Sequence, residues 1–125
     1  MKKILILENG KAISNMINNL FEIENYKILS SENFPVKTGL PKQIPDLVIA
    51  DLTSIKKEKV ELLMQLKSNP VISLVPFLLI TSENGIGSEE QFSVLNYYLN
   101  KPFTKESLYL LIKKILNHTD SLSPW

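Results

Sequence analysis

Polar side chains directly follow four of the short apolar runs in this sequence, and their types are those that bind ligands. They are Glu8 and Asn9 after residues 4–7, Asp51 after 46–50, Thr81 and Ser82 after 75–80, and Asn100 and Lys101 after 97–99. Singly, each has an ordinary structural explanation, such as a strand-end cap for Asp51 or a solvated charge for Lys101. Together, two acids, a hydroxyl and a lysine would form a binding site if the fold placed them at one edge.

The apolar residues alternate between continuous runs and helical spacing. Five runs are short and rich in branched or aromatic residues, as strands buried on both faces are. They are ILIL (4–7), YKIL (26–29), DLVIA (46–50), VPFLLI (75–80) and YYL (97–99). Strands that alternate with helices predict a doubly wound α/β fold with a parallel sheet. In such a sheet ligands bind beyond the carboxyl ends of the strands, where these polar residues occur.

Helical spacing follows the first, third and fifth runs. The three sets are Ile13, Met16, Ile17, Leu20 and Phe21; Val60, Leu63, Met64 and Leu66; and Leu108, Leu111, Ile112 and Ile115. The second helix is predicted to end near Asn69-Pro70, and the third to begin with Thr104 as its N-cap. A shorter helix is predicted over 88–96. Residues 31–42, interrupted by two prolines and a glycine, make at best an irregular one.

Composition indicates one ordinary globular domain. The chain has 125 residues, of which 44% are hydrophobic and 22% charged, and its formal net charge of +1 provides no field for nucleic acid or an anionic membrane. The absence of cysteine excludes disulfides, thiolate metal sites and cysteine nucleophiles, and fits a cytoplasmic location. Glu8 interrupts the first apolar run too early for a signal peptide. We expect a domain over residues 1–118 and a polar tail over 119–125.

Three segments at their observed separations resemble the receiver domain of two-component response regulators. They are PDLVIAD (45–51), LLITS (78–82) and YLNKPF (98–103). The resemblance covers residues 2–117 and implies a flavodoxin-like fold, with a five-stranded parallel sheet in the order 2-1-3-4-5. It also implies that Asp51 accepts a phosphoryl group from a sensor histidine kinase or phosphotransfer protein with the help of Mg²⁺. A cis peptide bond before Pro102 is a further implication.

The same resemblance implies roles for individual residues. Thr81 and Lys101 would contact the phosphoryl oxygens, and Thr81 and Tyr98 would form the switch. The magnesium shell would consist of Glu8, Asn9, Asp51 and the backbone carbonyl of Thr53, and the positions that tune the lifetime of the phosphoryl group would be Thr53 and Glu83. Such a protein is not an enzyme in the usual sense, because at most it catalyses its own phosphorylation and dephosphorylation.

The chain departs from the family pattern after the first strand. Receivers usually carry two acids there, and the second normally touches the metal, whereas this chain has Glu8 and Asn9. An amide oxygen can coordinate magnesium but adds no negative charge, so we expect weakened metal affinity. The lysines at 56, 57 and 59 could add positive charge near the site, although the pattern is typical of a solvated loop and helix start.

Two functions remain open at this point. The first is a phosphoryl-accepting receiver, which the retained Asp51, Thr81 and Lys101 favour. The second is a pseudo-receiver that binds partners without phosphorylation, which Asn9 favours. A flavin or nucleotide binder fits poorly, because ENGKAIS after the first strand has no glycine-rich phosphate loop. For a receiver, the partner or homodimer surface would be formed by the fourth helix, the fifth strand and the fifth helix, including Tyr97, Tyr98 and Tyr109.

Overall fold

The computed structural model describes residues 2–20, 26–30, 44–82 and 96–121. Five parallel strands form one sheet: β1 (Lys2–Leu7), β2 (Tyr26–Ser30), β3 (Leu47–Asp51), β4 (Phe77–Thr81) and β5 (Asn96–Asn100). The strand order is β2-β1-β3-β4-β5, which confirms the predicted topology. Because all strands run in one direction, their carboxyl ends lie at the same edge of the sheet.

Three helices pack on this sheet within the described ranges: α1 (Ala12–Leu20), α2 (Lys57–Ser68) and α3 (Lys105–Ser121). A short 3₁₀ turn, Ile72–Leu74, precedes β4 and was not predicted. The side chain of Thr104 accepts a hydrogen bond from the Ser107 N–H at 3.0 Å, and the Ser107 hydroxyl accepts one from the Thr104 N–H at 3.1 Å. This reciprocal capping confirms Thr104 as the N-cap of α3.

Alternating strand residues pack into two cores, one on each face of the sheet. Ile4 and Ile6 of β1 belong to the core that contains α1 and α3, whereas Leu5 and Leu7 belong to the core that contains α2. All residues of β3 and β4 are buried. Burial of each large apolar side chain stabilises the fold by roughly 1.5–3 kcal/mol. The two cores therefore hold in place the strand ends that carry the polar residues.

The apolar residues whose spacing predicted α2 are not all buried. Leu63 and Leu66 are buried as expected, but Val60 is 42% exposed and Met64 is 59% exposed. The helix predicted from this spacing is therefore present, but only Leu63 and Leu66 of the four residues are buried.

Several expected features fall partly or wholly outside the described residues. They are the helix over 88–96, the irregular segment over 31–42, Phe21 in the first helix, and Glu83. Helix α3 continues to Ser121, three residues into the segment that we assigned to the tail. No helix in the described part of the chain is long and apolar enough to cross a bilayer.

Candidate functional site

Asp51 is the last residue of β3 and the centre of a hydrogen-bonded cluster. Its side chain is only 6% exposed. One carboxylate oxygen accepts hydrogen bonds from the Thr53 hydroxyl at 2.6 Å and the Thr53 N–H at 3.1 Å. The other accepts one from the Lys101 ammonium at 2.9 Å, and that ammonium also donates to the Thr53 hydroxyl oxygen at 2.7 Å. The structure thus brings Asp51, Thr53 and Lys101 into direct contact.

These contacts keep the Asp51 carboxylate ionised. Burial alone raises the pKa of Asp51, but hydrogen bonds from Thr53 and Lys101, with the charge of Lys101, outweigh burial and lower the pKa below its ordinary value of 3.8. At neutral pH the group is therefore an anion that is shielded from most solvent. An ionised carboxylate in this setting has the electron pair that a nucleophile needs.

Lys101 reaches Asp51 from the loop that follows β5. Strand β4 lies between β3 and β5, and its last residue, Thr81, accepts a hydrogen bond from the Lys101 N–H at 2.8 Å through its main-chain carbonyl. The Lys101–Pro102 peptide bond is cis, as the resemblance predicts. The Lys101 side chain is 39% exposed, so its ammonium faces both Asp51 and solvent.

Thr81 is buried at the end of β4, and its hydroxyl donates to the side-chain oxygen of Asn100. Asn100 is the last residue of the neighbouring strand and pairs in register with Thr81. The Thr81 hydroxyl therefore forms a hydrogen bond from β4 to β5, and the Thr81 carbonyl accepts the hydrogen bond from the Lys101 N–H.

Glu8 lies beside Asp51 in the register of the sheet but its carboxylate is engaged elsewhere. Leu7 of β1 pairs with Ala50 of β3, so Glu8 and Asp51 are the next residues along these two neighbouring segments. The buried Glu8 carboxylate accepts three hydrogen bonds from the first turn of α1. They come from the Ile13 N–H at 2.8 Å, the Ser14 N–H at 3.0 Å and the Ser14 hydroxyl at 2.7 Å. Glu8 thus caps α1, and a carboxylate is favourable at that helix end.

Asn9 and Gly10 form an exposed turn after β1. Gly10 has φ +99°, a backbone conformation that favours glycine, and no neighbouring atom crowds it. The Asn9 N–H donates to the Ser54 hydroxyl oxygen at 3.3 Å. The Glu8 carbonyl, on the other side of the same peptide group, accepts a hydrogen bond from the Lys59 ammonium.

Two cavities open at this edge of the sheet. One, of about 590 Å³, is lined by Asp51, Lys101 and Ser82 and by the mostly apolar Ala12, Ile13, Met16, Pro102 and Phe103. Glu8 and Lys59 line the other, of about 440 Å³, with polar residues of α1. Asp51 thus lines the first of these cavities and Glu8 the second.

The donor set fits a weakly charged site for a hard cation. Carboxylate, amide and main-chain oxygens are what Mg²⁺ prefers, and Glu8, Asn9, Asp51 and Thr53 offer such oxygens. However, the set carries only two formal negative charges, and α1 already engages one of the two carboxylates. Across the described ranges there is no cluster of three or more Asp, Glu, His or Cys side chains. The chemistry of these oxygens therefore fits a magnesium ion, but with less negative charge than three clustered acids would supply.

Tyr98 is half-buried on β5 and packs against the core that contains α2. Tyr97, its neighbour, and Tyr109 of α3 pack against the opposite core. Leu110, next to Tyr109, is 64% exposed. In the described part of the expected partner surface, the three tyrosine rings are therefore partly buried against the two cores, and Leu110 is exposed beside Tyr109.

Four residues of the site were missed or undervalued by the sequence interpretation. Ser14 donates a hydrogen bond to the Glu8 carboxylate, and Asn100 accepts one from Thr81. Ser54 and Lys59 form hydrogen bonds with the Glu8–Asn9 peptide group. Lys59 is half-buried rather than part of a solvated run, whereas Lys56 and Lys57 are exposed as expected. Only the adjacency of Asn100 to Lys101 signalled one of these roles. The contacts of Ser54 and Lys59 join segments that are distant in the sequence, and the contact of Ser14 with Glu8, although only six residues apart, leaves no pattern in the sequence.

Known proteins resemble this chain in sequence and in fold. No protein-family model matches the chain. Histidine kinase P4 of Formosa agariphila is 32% identical over 118 residues, which are 92% of this chain and 8% of the kinase. The response regulator Rcp1 of Synechocystis is 25% identical over 127 residues, covering 91% of this chain and 86% of that protein. Among solved structures, a receiver-modulated diguanylate cyclase from Pelobacter carbinolicus superposes with a TM-score of 0.71 at 25% identity, over 100% of both chains.

This chain is a response regulator receiver domain. The chain matches only 8% of the length of the Formosa kinase but 86% of the length of Rcp1. The activity of the whole kinase therefore does not describe this chain. A further neighbour is the receiver domain of a sensor histidine kinase from Pseudomonas aeruginosa, which has a magnesium ion in its active-site cleft. It has a TM-score of 0.64 at 17% identity, and covers 93% of this receiver and 98% of that chain. That likeness shows the fold alone.

Proposed function

We propose that Asp51 accepts a phosphoryl group from the phosphohistidine of a kinase or phosphotransfer protein. The observation that carries this proposal is the buried, ionised Asp51 carboxylate held between the Thr53 hydroxyl and the Lys101 ammonium. An Asp51 oxygen forms the new bond to phosphorus while the bond from phosphorus to the histidine nitrogen breaks. The site needs positioning and charge stabilisation more than proton transfer, because phosphoryl transfer depends mainly on these two effects.

Lys101 stabilises the negative charge of the transferred group. Its ammonium already lies 2.9 Å from an Asp51 oxygen, so a small movement brings it to a phosphoryl oxygen attached there. Thr53 holds the second Asp51 oxygen through its hydroxyl and N–H, which orients the carboxylate. The Thr81 hydroxyl is the further donor, once it exchanges Asn100 for a phosphoryl oxygen.

Magnesium, when bound, supplies positive charge that neutralises the transferred oxygens. Asp51, Asn9 and the Thr53 carbonyl are the residues that would hold it, with Glu8 nearby. We propose that its affinity is weak, because Asn9 is neutral and the Glu8 carboxylate already accepts three hydrogen bonds from α1.

The experiment is labelling with acetyl phosphate in the presence of magnesium, read as a mass increase of the intact chain. We expect one phosphoryl group on the wild type and none on Asp51→Asn. Labelling that persists in Asp51→Asn would assign the phosphoryl group to another residue. Absence of labelling at high magnesium would support the second candidate, a pseudo-receiver that binds partners without phosphorylation. The observation that favours this candidate is the engaged Glu8 carboxylate beside a neutral Asn9.

The proposed location is the cytoplasm, and the proposed partners are a sensor histidine kinase or phosphotransfer protein and an output partner or second copy. The output surface includes β5 and α3, with Tyr97, Tyr98 and Tyr109. Aromatic side chains are favoured interface anchors, and Leu110 adds exposed apolar area beside them. We propose no contact of this domain with nucleic acid or membrane.

A further inference from the structure

The Glu8–Asn9 peptide group is held from both sides by the segment that follows Asp51. The Lys59 ammonium donates to its carbonyl oxygen, and its N–H donates to the Ser54 hydroxyl. Ser54 is itself tied to the end of β3, because its N–H donates to the Asp51 carbonyl at 3.1 Å. The turn that carries Asn9 is thus fixed to the phosphoacceptor strand by contacts that use no acidic side chain.

The position of Lys59 is not explained by helix formation. Lys59 lies in the first turn of α2, where the helix dipole disfavours a positive side chain. Its neighbours Lys56 and Lys57 point into solvent, whereas Lys59 is half-buried and lines the same cavity as Glu8. The contact with the Glu8 carbonyl therefore accounts for its placement better than the helix does.

Lys59 also changes the charge balance of the site. Glu8 and Asp51 contribute two negative charges, and Lys59 and Lys101 contribute two positive charges, so these four side chains are formally neutral together. Without Lys59, and with an acid in place of Asn9, the metal-free site would hold three carboxylates and one ammonium. Receivers usually bind the metal at the position of Asn9. In this chain the Lys59 ammonium is bound to the peptide group that joins Glu8 to Asn9.

We propose that Lys59 is a built-in counter-cation of this receiver, which orders the Glu8–Asn9 turn without a divalent ion and whose charge opposes magnesium at the neighbouring Asn9 and Asp51. Lys59 acts on the metal through its charge and on the turn through its hydrogen bond to the Glu8 carbonyl, and is therefore a positioning residue. The inference rests on the proposed function for its biological meaning, but its physical content concerns only metal affinity and metal-free stability.

The test compares Lys59→Gln with wild type in two measurements. Magnesium affinity is obtained from an NMR titration of backbone amides, and metal-free stability from a thermal melt in EDTA. We expect Lys59→Gln to bind magnesium at least fivefold more tightly, which corresponds to about 1 kcal/mol, and to melt several degrees lower in EDTA. Lys59→Met retains the aliphatic stem and replaces the glutamine variant if that variant does not fold.

Three controls separate charge, contact and net-charge effects. Lys59→Arg retains the positive charge and should keep the weak magnesium affinity. Ser54→Ala removes the other hold on the turn, so it should lower the metal-free melting temperature and leave magnesium affinity within twofold. Lys57→Gln removes an exposed positive charge from the same turn of α2 and should change neither. Equal gains in affinity for Lys57→Gln and Lys59→Gln would overturn the proposal.

The outcome is distinguishable from that of the proposed function. Unchanged magnesium affinity in Lys59→Gln, with Asp51 still labelled by acetyl phosphate, would refute the counter-cation and leave the phosphoacceptor role intact. Tighter magnesium binding in Lys59→Gln without any labelling of Asp51 would support the counter-cation and refute the phosphoacceptor role.

Discussion

Lys101 and Asp51 are 50 residues apart in the sequence, and their side chains form an ion pair of 2.9 Å. The pair joins the end of β3 to the loop after β5, across the intervening β4. It therefore depends on the order of the strands, and it connects the stability of the site to the ionisation of Asp51.

The first prediction concerns acid. The pKa of Asp51 is lowered in the folded protein, so its contribution to stability is complete above the ordinary value of 3.8 and is lost as the pH falls through the lowered pKa. Lys101→Met should raise the pKa of Asp51 and remove part of that pH dependence. Carboxyl ¹³C NMR titration measures the pKa directly. Lys105→Met, which removes an exposed lysine nearby in sequence, should leave it unchanged; an equal rise would contradict the ion pair.

The second prediction concerns Glu8 as a helix cap. Glu8→Gln retains the shape but loses the charge and one acceptor, so α1 should lose hydrogen bonds from its first turn. We expect a loss of about 1–2 kcal/mol in the free energy of unfolding, measured with urea. Glu58→Gln removes an exposed glutamate from the first turn of α2 and serves as the control. If both variants lost the same stability, the buried contacts of Glu8 would have no special value.

The third prediction concerns the start of α3. Thr104→Ala removes the cap on the Ser107 N–H and should cost about 1 kcal/mol, whereas Thr104→Ser retains the hydroxyl and should cost much less. Hydrogen exchange at the Ser107 amide reports the local effect. Equal stability of the alanine and serine variants would mean that the hydrogen bond contributes nothing.

The fourth prediction concerns Asn9. Asn9→Asp should strengthen magnesium binding at least tenfold, since tenfold requires only about 1.4 kcal/mol. The added carboxylate should also lower the metal-free melting temperature, and more so when Lys59→Gln removes the neighbouring ammonium. The four proteins of this cycle are compared by magnesium titration and by melts in EDTA. Equal magnesium affinities for wild type and Asn9→Asp would show that position 9 does not contact the metal.

The fifth prediction concerns the proposed output surface. Alanine at Tyr98 or Tyr109 should weaken self-association or partner binding. Each ring is partly buried against a core, and such aromatic side chains are common binding hot spots. Tyr98→Phe keeps the packing and separates a binding effect from simple destabilisation. Sedimentation velocity before and after acetyl phosphate treatment measures the association. Identical profiles for wild type and both alanine variants would place the interface elsewhere.

The strands were the most predictable part of the fold, because runs such as those of β1 and β3 are buried on both faces and contain few polar residues. The side of α2 that meets the sheet was less predictable, since Val60 and Met64 have the right spacing but lie at the edge of the contact. The contacts of Asp51 with Lys101 followed from the strand order once the resemblance supplied it. The capping role of Glu8 did not, because a glutamate after a strand has the same local sequence whether it turns toward a metal or toward the next helix.

The hydrogen bond from Thr81 to Asn100 would compete with the proposed phosphoryl group for the Thr81 hydroxyl proton. A hydroxyl has one proton, so Thr81 can serve Asn100 or a phosphoryl oxygen, but not both at once. A phosphoryl oxygen is the stronger acceptor, because hydrogen bonds to charged groups are shorter and stronger than those between neutral groups. If Asp51 is phosphorylated as proposed, the Thr81 hydroxyl therefore contributes only the difference in free energy between these two hydrogen bonds. Replacing Asn100 with an apolar residue would remove this competition and leave the Thr81 proton uncommitted before the signal arrives.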